Sequence, residues 1–174
     1  KLNIPKLFPL CGIYETADHK EIEQNYGKAV QAMYPIKGKR TRHYAFYDEL
    51  DIKQLSEDRL MEDVFEDALK NGEFQLWYQP KVDPVTGNIL GAEALIRWKR
   101  PDGTMLSPGK FIPLFEKNGN ITTLDEYVFR TVCAQQQRWL QAGAKLYPIS
   151  VNISRVSLYY SNVVDKYREI LNSF

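Results

Sequence analysis

Cysteine is scarce in this chain, and so is any surplus of charge. Only Cys11 and Cys133 are present, far apart and in apolar company. That spacing argues against a disulfide framework or a cysteine metal knuckle and fits reduced core cysteines in a cytoplasmic domain. Lysine plus arginine exceed aspartate plus glutamate by one, 23 against 22, so no global field points to a nucleic acid polymer or an anionic membrane. No apolar run approaches the roughly 18 residues of a membrane helix, and the start has no charged segment leading into an apolar core. An initiator methionine is missing too. The chain opens on Lys1-Leu2-Asn3, as expected for part of something longer. What is there is the make-up of a soluble globular protein: 174 residues, 44% hydrophobic and 26% charged, enough for one domain or slightly more.

Hydrophobic periodicity divides the chain. Residues 7–15 read as a strand, and Asp18 to Tyr34 places Ile22, Tyr26, Ala29, Val30 and Met33 on one helical stripe. A basic turn, Lys37 to Arg42, reads as a solvated loop, and His43 to Tyr47 is a second strand. From Ser56 the pattern is helical, with Leu60, Met61, Val64, Phe65, Ala68 and Leu69 inward and Gly72 as the stop. A hairpin follows: Phe74 to Val82, a turn at Asp83 to Asn88, then Ile89 to Trp98. Pro80 removes one ladder bond, which places the first strand at an edge or a bulge.

Beyond the hairpin, Arg100 to Gly103 is a turn, and Ser107-Pro108 starts a helix that Gly119 closes. Thr123 to Glu126 has capping-box spacing and opens a long helix with Tyr127, Val128, Val132, Cys133, Trp139 and Leu140 inward. Ile149 to Ser154 is a strand with Ser150, Asn152 and Ser154 on one face. A last helix carries Val163, Val164, Tyr167, Ile170 and Leu171. Strand, helix and strand in succession predict an α/β barrel or an open parallel sheet.

The chemistry lies in the second hairpin strand. Alternation puts Glu93, Leu95 and Arg97 on one face and Ala94, Ile96 and Trp98 on the other. The α-carbons of Glu93 and Arg97 lie about 13 Å apart in an extended strand, which argues against a simple ion pair and gives each its own partner. A carboxylate suits a hard cation, and a guanidinium suits a phosphate, which its planar fork can grip. Gln79 falls near Glu93 across the hairpin, and Asn152 offers a neutral oxygen from a separate strand. Alternation supports equally a half-exposed antiparallel sheet on which all four are surface residues.

The motifs Tyr78-Gln-Pro-Lys, Glu93-Ala-Leu-Ile-Arg-Trp, Ser107-Pro-Gly-Lys-Phe-Ile-Pro113, Glu116 with Gly119, and Ser150-Val-Asn-Ile-Ser154 resemble, in order, the signatures of the EAL domain, the cyclic di-GMP phosphodiesterase family. The resemblance implies the first half of a TIM-like (β/α) barrel over residues 73–174. It also implies two bound Mg²⁺ or Mn²⁺ ions, with Glu93 and Asn152 as metal ligands and Gln79, Leu95 and Arg97 contacting cyclic di-GMP. The implied reaction is attack of a metal-activated water on a phosphodiester, giving linear pGpG.

Residues 1–50 resemble the closing part of a GGDEF domain, through Cys11-Gly-Ile-Tyr14 and the helix before the Lys-Gly-Lys turn. Residues 51–72 read as a linker helix. The motif that names that domain is absent, so no cyclase activity is argued.

Two positions depart from the family pattern. Phe115 stands where a small residue is usual, and Asn120 where an apolar one is usual. The larger departure is length, since a complete barrel takes about 250 residues. The family's further metal-binding glutamate, paired aspartates, lysine and later glutamates belong to the part beyond this chain, and so does the general base. Three readings follow: part of a phosphodiesterase, inactive when cut to this chain; a degenerate receptor that binds cyclic di-GMP without cutting it; or an assembly module. An opened barrel exposes strand edges, which predicts a homo-oligomer or pairing with a complementary chain.

Overall fold

A strand, a helix and a second strand succeed one another in the first fifty residues, as their periodicity predicts. The computed structural model of the chain describes residues 9–16, 20–37 and 42–174, which fall into two compact units, Lys1–Met61 and Glu62–Phe174. In the first, strand β1 (Cys11–Ile13) pairs in parallel with strand β2 (Tyr44–Phe46). Parallel neighbours need a crossover, supplied here by helix α1 (Ile22–Ala32). The helix rests on the strand at Gly12, where an added Cβ would lie 1.7 Å from the Ala29 carbonyl oxygen.

Two expectations fail in this unit. Ile22 and Tyr26 are 74% and 70% exposed, because three-residue strands span about 10 Å while α1 is about 16 Å long. Cys11 is exposed at the end of its short strand, and only Cys133 is buried as expected. Of the basic turn, residues 38–41 lie outside the described residues, as do residues 7 and 8 of the first expected strand.

Helix α2 (Glu49–Asp63) begins seven residues earlier than the predicted Ser56, since the run Glu49 to Gln54 is rich in good helix formers. The helix is interrupted by a turn at Val64 and resumes as α3 (Phe65–Lys70). Met61, Phe65 and Ala68 are buried as expected, whereas Leu60 is 60% exposed.

The second unit is built on the hairpin of β3 (Phe74–Val82) and β4 (Ile89–Lys99). Asp83 closes the turn: its Oδ1 accepts from the backbone N–H groups of Val85 and Thr86, which also holds its carboxyl below the usual carboxylate range. Among the described residues β3 pairs only with β4, and the register shifts after Lys81. The edge and the bulge anticipated from Pro80 are therefore both present. The far side of β4 is shared by β5 (Met105–Leu106), antiparallel to Trp98 and Lys99, and β6 (Ile149–Val151), parallel to Ala92–Ala94.

Helices α4 (Pro108–Asn118) and α5 (Asn120–Gln141) connect β5 to β6, and α6 (Arg155–Leu158) and α7 (Val163–Asn172) follow. One face of the hairpin meets them through an aromatic core. Phe74 and Trp98 stand 4.7 Å apart by ring centroids, with Phe111 and Phe115 of α4 and Phe65 of α3 around them. Each such buried ring contributes about 1.5–3 kcal/mol of transfer energy. The Trp98 indole N–H donates to Glu73 Oε2 at 2.8 Å, so the one polar atom of that ring is satisfied.

Tertiary structure moves several predicted boundaries. Gly119, at φ 89°, ends α4 and caps α5, which starts at Asn120 rather than at a Thr123 box. Glu126 pairs with Lys166 instead. Leu140 is 63% exposed, and Val164 and Leu171 are 64% and 56% exposed. Each lies on a helix flank that nothing in the second unit covers. Strand β6 ends at Val151, three residues short of expectation, because the following residues turn into α6 with Ser154 as N-cap.

Candidate functional site

Residues directly opposite in a ladder share a face of the sheet. The register pairs Gln79 with Glu93, Trp77 with Leu95, and Gln75 with Arg97. Across the other edge Glu93 pairs with Ser150. Gln79, Glu93, Leu95 and Arg97 therefore occupy the hairpin face opposite the aromatic core, as alternation predicts. The residues after Ser150 bring in Asn152, whose Nδ2 donates to Glu93 Oε1 at 2.8 Å across 59 positions of sequence.

Arg97 has separate surroundings. Its Nη1 donates to the Ile96 carbonyl at 2.8 Å, and its guanidinium lies 5.9 Å from the Trp77 ring centre. Among the described residues it forms no ion pair with Glu93, as the expected spacing implies. Lys81, also on this face, donates from Nζ to Ser150 Oγ at 2.8 Å and helps fix β6 beside the hairpin.

A cavity of about 290 Å³ opens at the carboxyl ends of β4 and β6, with Leu95, Arg97, Ile112, Glu116, Leu124 and Asn152 in its wall. Parallel strands present their carboxyl ends to ligands in α/β folds, since the loops there are free to vary while the strands hold them. The apolar wall suits a flat ring, and Arg97 and Asn152 add directional polar groups to that wall.

The sequence reading missed Asp125. It is 7% exposed, and its Oδ2 accepts from the backbone N–H of Ser154 at 2.9 Å and from Ser157 Oγ at 2.6 Å. Glu116 Oε1 accepts from Ser154 Oγ at 2.7 Å. Burial pushes the Asp125 carboxyl up, and the neighbouring charges of Glu116 and Glu126 add to this against the two hydrogen bonds. A signal was available: Asp125 continues the inward stripe of Ile121, Leu124, Val128 and Val132, where a carboxylate is out of place unless something binds it.

Glu93 of β4 and Asn152 in the turn after β6 carry hard oxygen donors, the right chemistry for a divalent cation of the magnesium type. Asn152 orients its amide nitrogen to Glu93, and rotation of the amide would turn its oxygen there instead. Among the described residues no three His, Cys, Asp or Glu side chains converge on one point. Two donors fit the ion in kind and fill only part of its shell.

Comparison with known proteins covers the same part of the chain. Residues 62–174 match the EAL domain family. The chain is 34% identical over 141 residues to the bifunctional diguanylate cyclase/cyclic di-GMP phosphodiesterase MucR of Pseudomonas aeruginosa, covering 80% of this chain and 20% of that protein. The solved PaMucR phosphodiesterase in complex with c-di-GMP superposes with a TM-score of 0.60 at 35% identity, covering 66% of this chain and 46% of that one. The FimX EAL domain of Xanthomonas citri with c-di-GMP gives 0.59 at 25% identity, covering 70% and 46%. The chain spans about a fifth of the length of the curated relatives it matches.

Proposed function

The chain belongs to the EAL domain family over residues 62–174, and on that premise we propose that it supplies one wall of a site that binds and hydrolyses cyclic di-GMP to pGpG. The observation that carries this is the contact between Glu93 of β4 and Asn152 in the turn after β6, with Asn152 and Arg97 both in the wall of the cavity at the carboxyl ends of the strands. Glu93 and Asn152 face a divalent ion, Mg²⁺ or Mn²⁺. Gln79, Leu95 and Arg97 face the dinucleotide. Arg97 spends one guanidinium nitrogen on Ile96, which leaves further donors for a phosphate oxygen. The metal, when bound, supplies an activated water for attack on the phosphodiester. The open sheet of β3 to β6 is then the first half of a TIM-like barrel, 73–174, preceded by a linker helix over 51–72 and a GGDEF remnant over 1–50. We place the protein in the cytoplasm, and no described helix is long and apolar enough to cross a membrane. The edges of β3 and β6, unpaired among the described residues, favour a homo-oligomer or a complementary chain.

Mutation of the intact protein tests this reading. Glu93→Ala abolishes metal-dependent release of pGpG, whereas Arg97→Ala weakens dinucleotide binding about 10- to 100-fold, the worth of a charge-assisted hydrogen bond. An unchanged rate for Glu93→Ala removes the metal role. A second reading is a receptor that binds cyclic di-GMP without cutting it. Tight binding by the intact protein with no pGpG released in Mg²⁺ or Mn²⁺ selects that reading.

A further inference from the structure

The turn from β6 into α6 is gripped by two helices. The Ser154 backbone N–H donates to Asp125 of α5, its Oγ donates to Glu116 of α4, and the same Oγ accepts from the Val156 N–H at 3.2 Å. Ser157 Oγ donates to the Asp125 oxygen that already holds Ser154. Upstream, Ser150 and Val151 are paired with Glu93 and Ala94 of β4. Asn152 and Ile153 are thus the only residues between two anchors, one in the sheet and one on a buried carboxylate. Two residues tethered at both ends have little freedom left, and the Asn152 amide reaches Glu93 at 2.8 Å from that position. If the Asp125 carboxylate is removed, the downstream side is held only through the Ser154 Oγ bond to Glu116. The Ser154 N–H and the Ser157 hydroxyl are then left seeking other partners.

Resting on the reading of Glu93 and Asn152 as the metal-facing pair, we propose that Asp125 is a positioning residue: it clamps the turn through Ser154 and Ser157, and so sets Asn152 against Glu93, without itself touching the ion. Its place on an otherwise apolar helix stripe is the sequence trace of that task. An asparagine there keeps an oxygen able to accept from both donors; an alanine keeps nothing.

Binding of Mn²⁺ to the intact protein, followed through the electron paramagnetic resonance of the free ion, tests this with metal alone and no turnover. Asn152→Ala weakens Mn²⁺ binding. Asp125→Ala weakens it about 10-fold, in the range of groups that orient metal ligands. Asp125→Asn stays within about 2-fold of wild type, since it keeps the acceptor. In the Asn152→Ala background, Asp125→Ala adds less than about 2-fold, because a residue acting only through Asn152 has nothing left to act on. A loss of melting temperature from Asp125→Ala persists in both backgrounds, so stability and positioning separate. The proposal is overturned if Asp125→Ala leaves Mn²⁺ affinity unchanged, or weakens it equally with and without Asn152. Should Asp125→Ala fail to fold, Ser157→Ala, which removes one of the two clamped donors, takes its place in the same cycle under the same criteria. If neither Glu93→Ala nor Asn152→Ala shifts Mn²⁺ binding, the metal-facing reading itself has failed, a pattern distinct from failure of the clamp alone.

Discussion

Substituting Gly91 by alanine should separate β6 from β4 and damage the candidate site from a distance. Gly91 lies in β4 beside the chain entering β6, and a Cβ there would stand 2.6 Å from the Pro148 carbonyl oxygen. Ordinary contact begins at 3.4 Å, so one backbone must retreat by about 0.8 Å. Neither neighbour is a flexible side chain that could swing away. The same Pro148 oxygen accepts the Ala92 N–H at 2.9 Å, and retreat strains that bond as well. Overpacking of about 1–3 kcal/mol with partial loss of a hydrogen bond of about 0.5–1.5 kcal/mol puts the destabilisation at about 2–4 kcal/mol. Urea unfolding followed by tryptophan fluorescence measures it, because Trp77, Trp98 and Trp139 all belong to the second unit. A displacement of this size also carries Asn152 away from Glu93, and misplacements near 1 Å can lower rates about 100-fold. The control is Gly109→Ala in α4, where an added Cβ meets nothing within 4 Å; it should be neutral or gain up to about 1 kcal/mol. Gly91→Ala with wild-type stability and wild-type pGpG release by the intact protein would refute the reasoning.

Other outcomes follow from buried polar groups and from the donor count. The Tyr167 hydroxyl is buried with no hydrogen-bond partner among the described residues, and its pKa is pushed up to about 12 by burial, with the Asp125 charge adding to it. Tyr167→Phe should therefore be neutral or stabilising by up to about 1 kcal/mol in urea unfolding, and a clear loss would reveal a partner. Asp125 titrates higher folded than unfolded, so its proton stabilises the fold below the ordinary value of 3.8, and that contribution is lost as pH rises through the raised folded value. Asp125→Asn has no such slope, and the stability of wild type relative to it should fall as pH rises from about 4; parallel pH profiles would contradict the shift. The 174-residue chain by itself should release no pGpG in Mg²⁺ or Mn²⁺, and metal-dependent release would show that two donors suffice.

Local spacing determined the hairpin, its turn, the glycine at the end of α4 and the shared face of Gln79, Glu93, Leu95 and Arg97. Strand alternation and turn chemistry act over a few residues, so they can be read without the fold. The ordered motifs also placed Asn152 with Glu93, a pairing that no local period contains, and the turn after β6 then made the contact. Exposure was less legible. Leu60, Leu140, Ile22 and Tyr26 fall on apolar stripes yet face solvent, because a stripe is buried only where another element is wide enough to cover it. The capping-box reading at Thr123 failed for a related reason: Gly119 had already turned the chain, and Glu126 found Lys166 from another helix. Asp125 shows the division most plainly. The sequence could mark it as a carboxylate out of place. Only the tertiary structure, by bringing Ser154 and Ser157 to it over about thirty residues, decided that it holds the turn after Asn152, since a buried charge is defined by its partners and those arrive only with the fold.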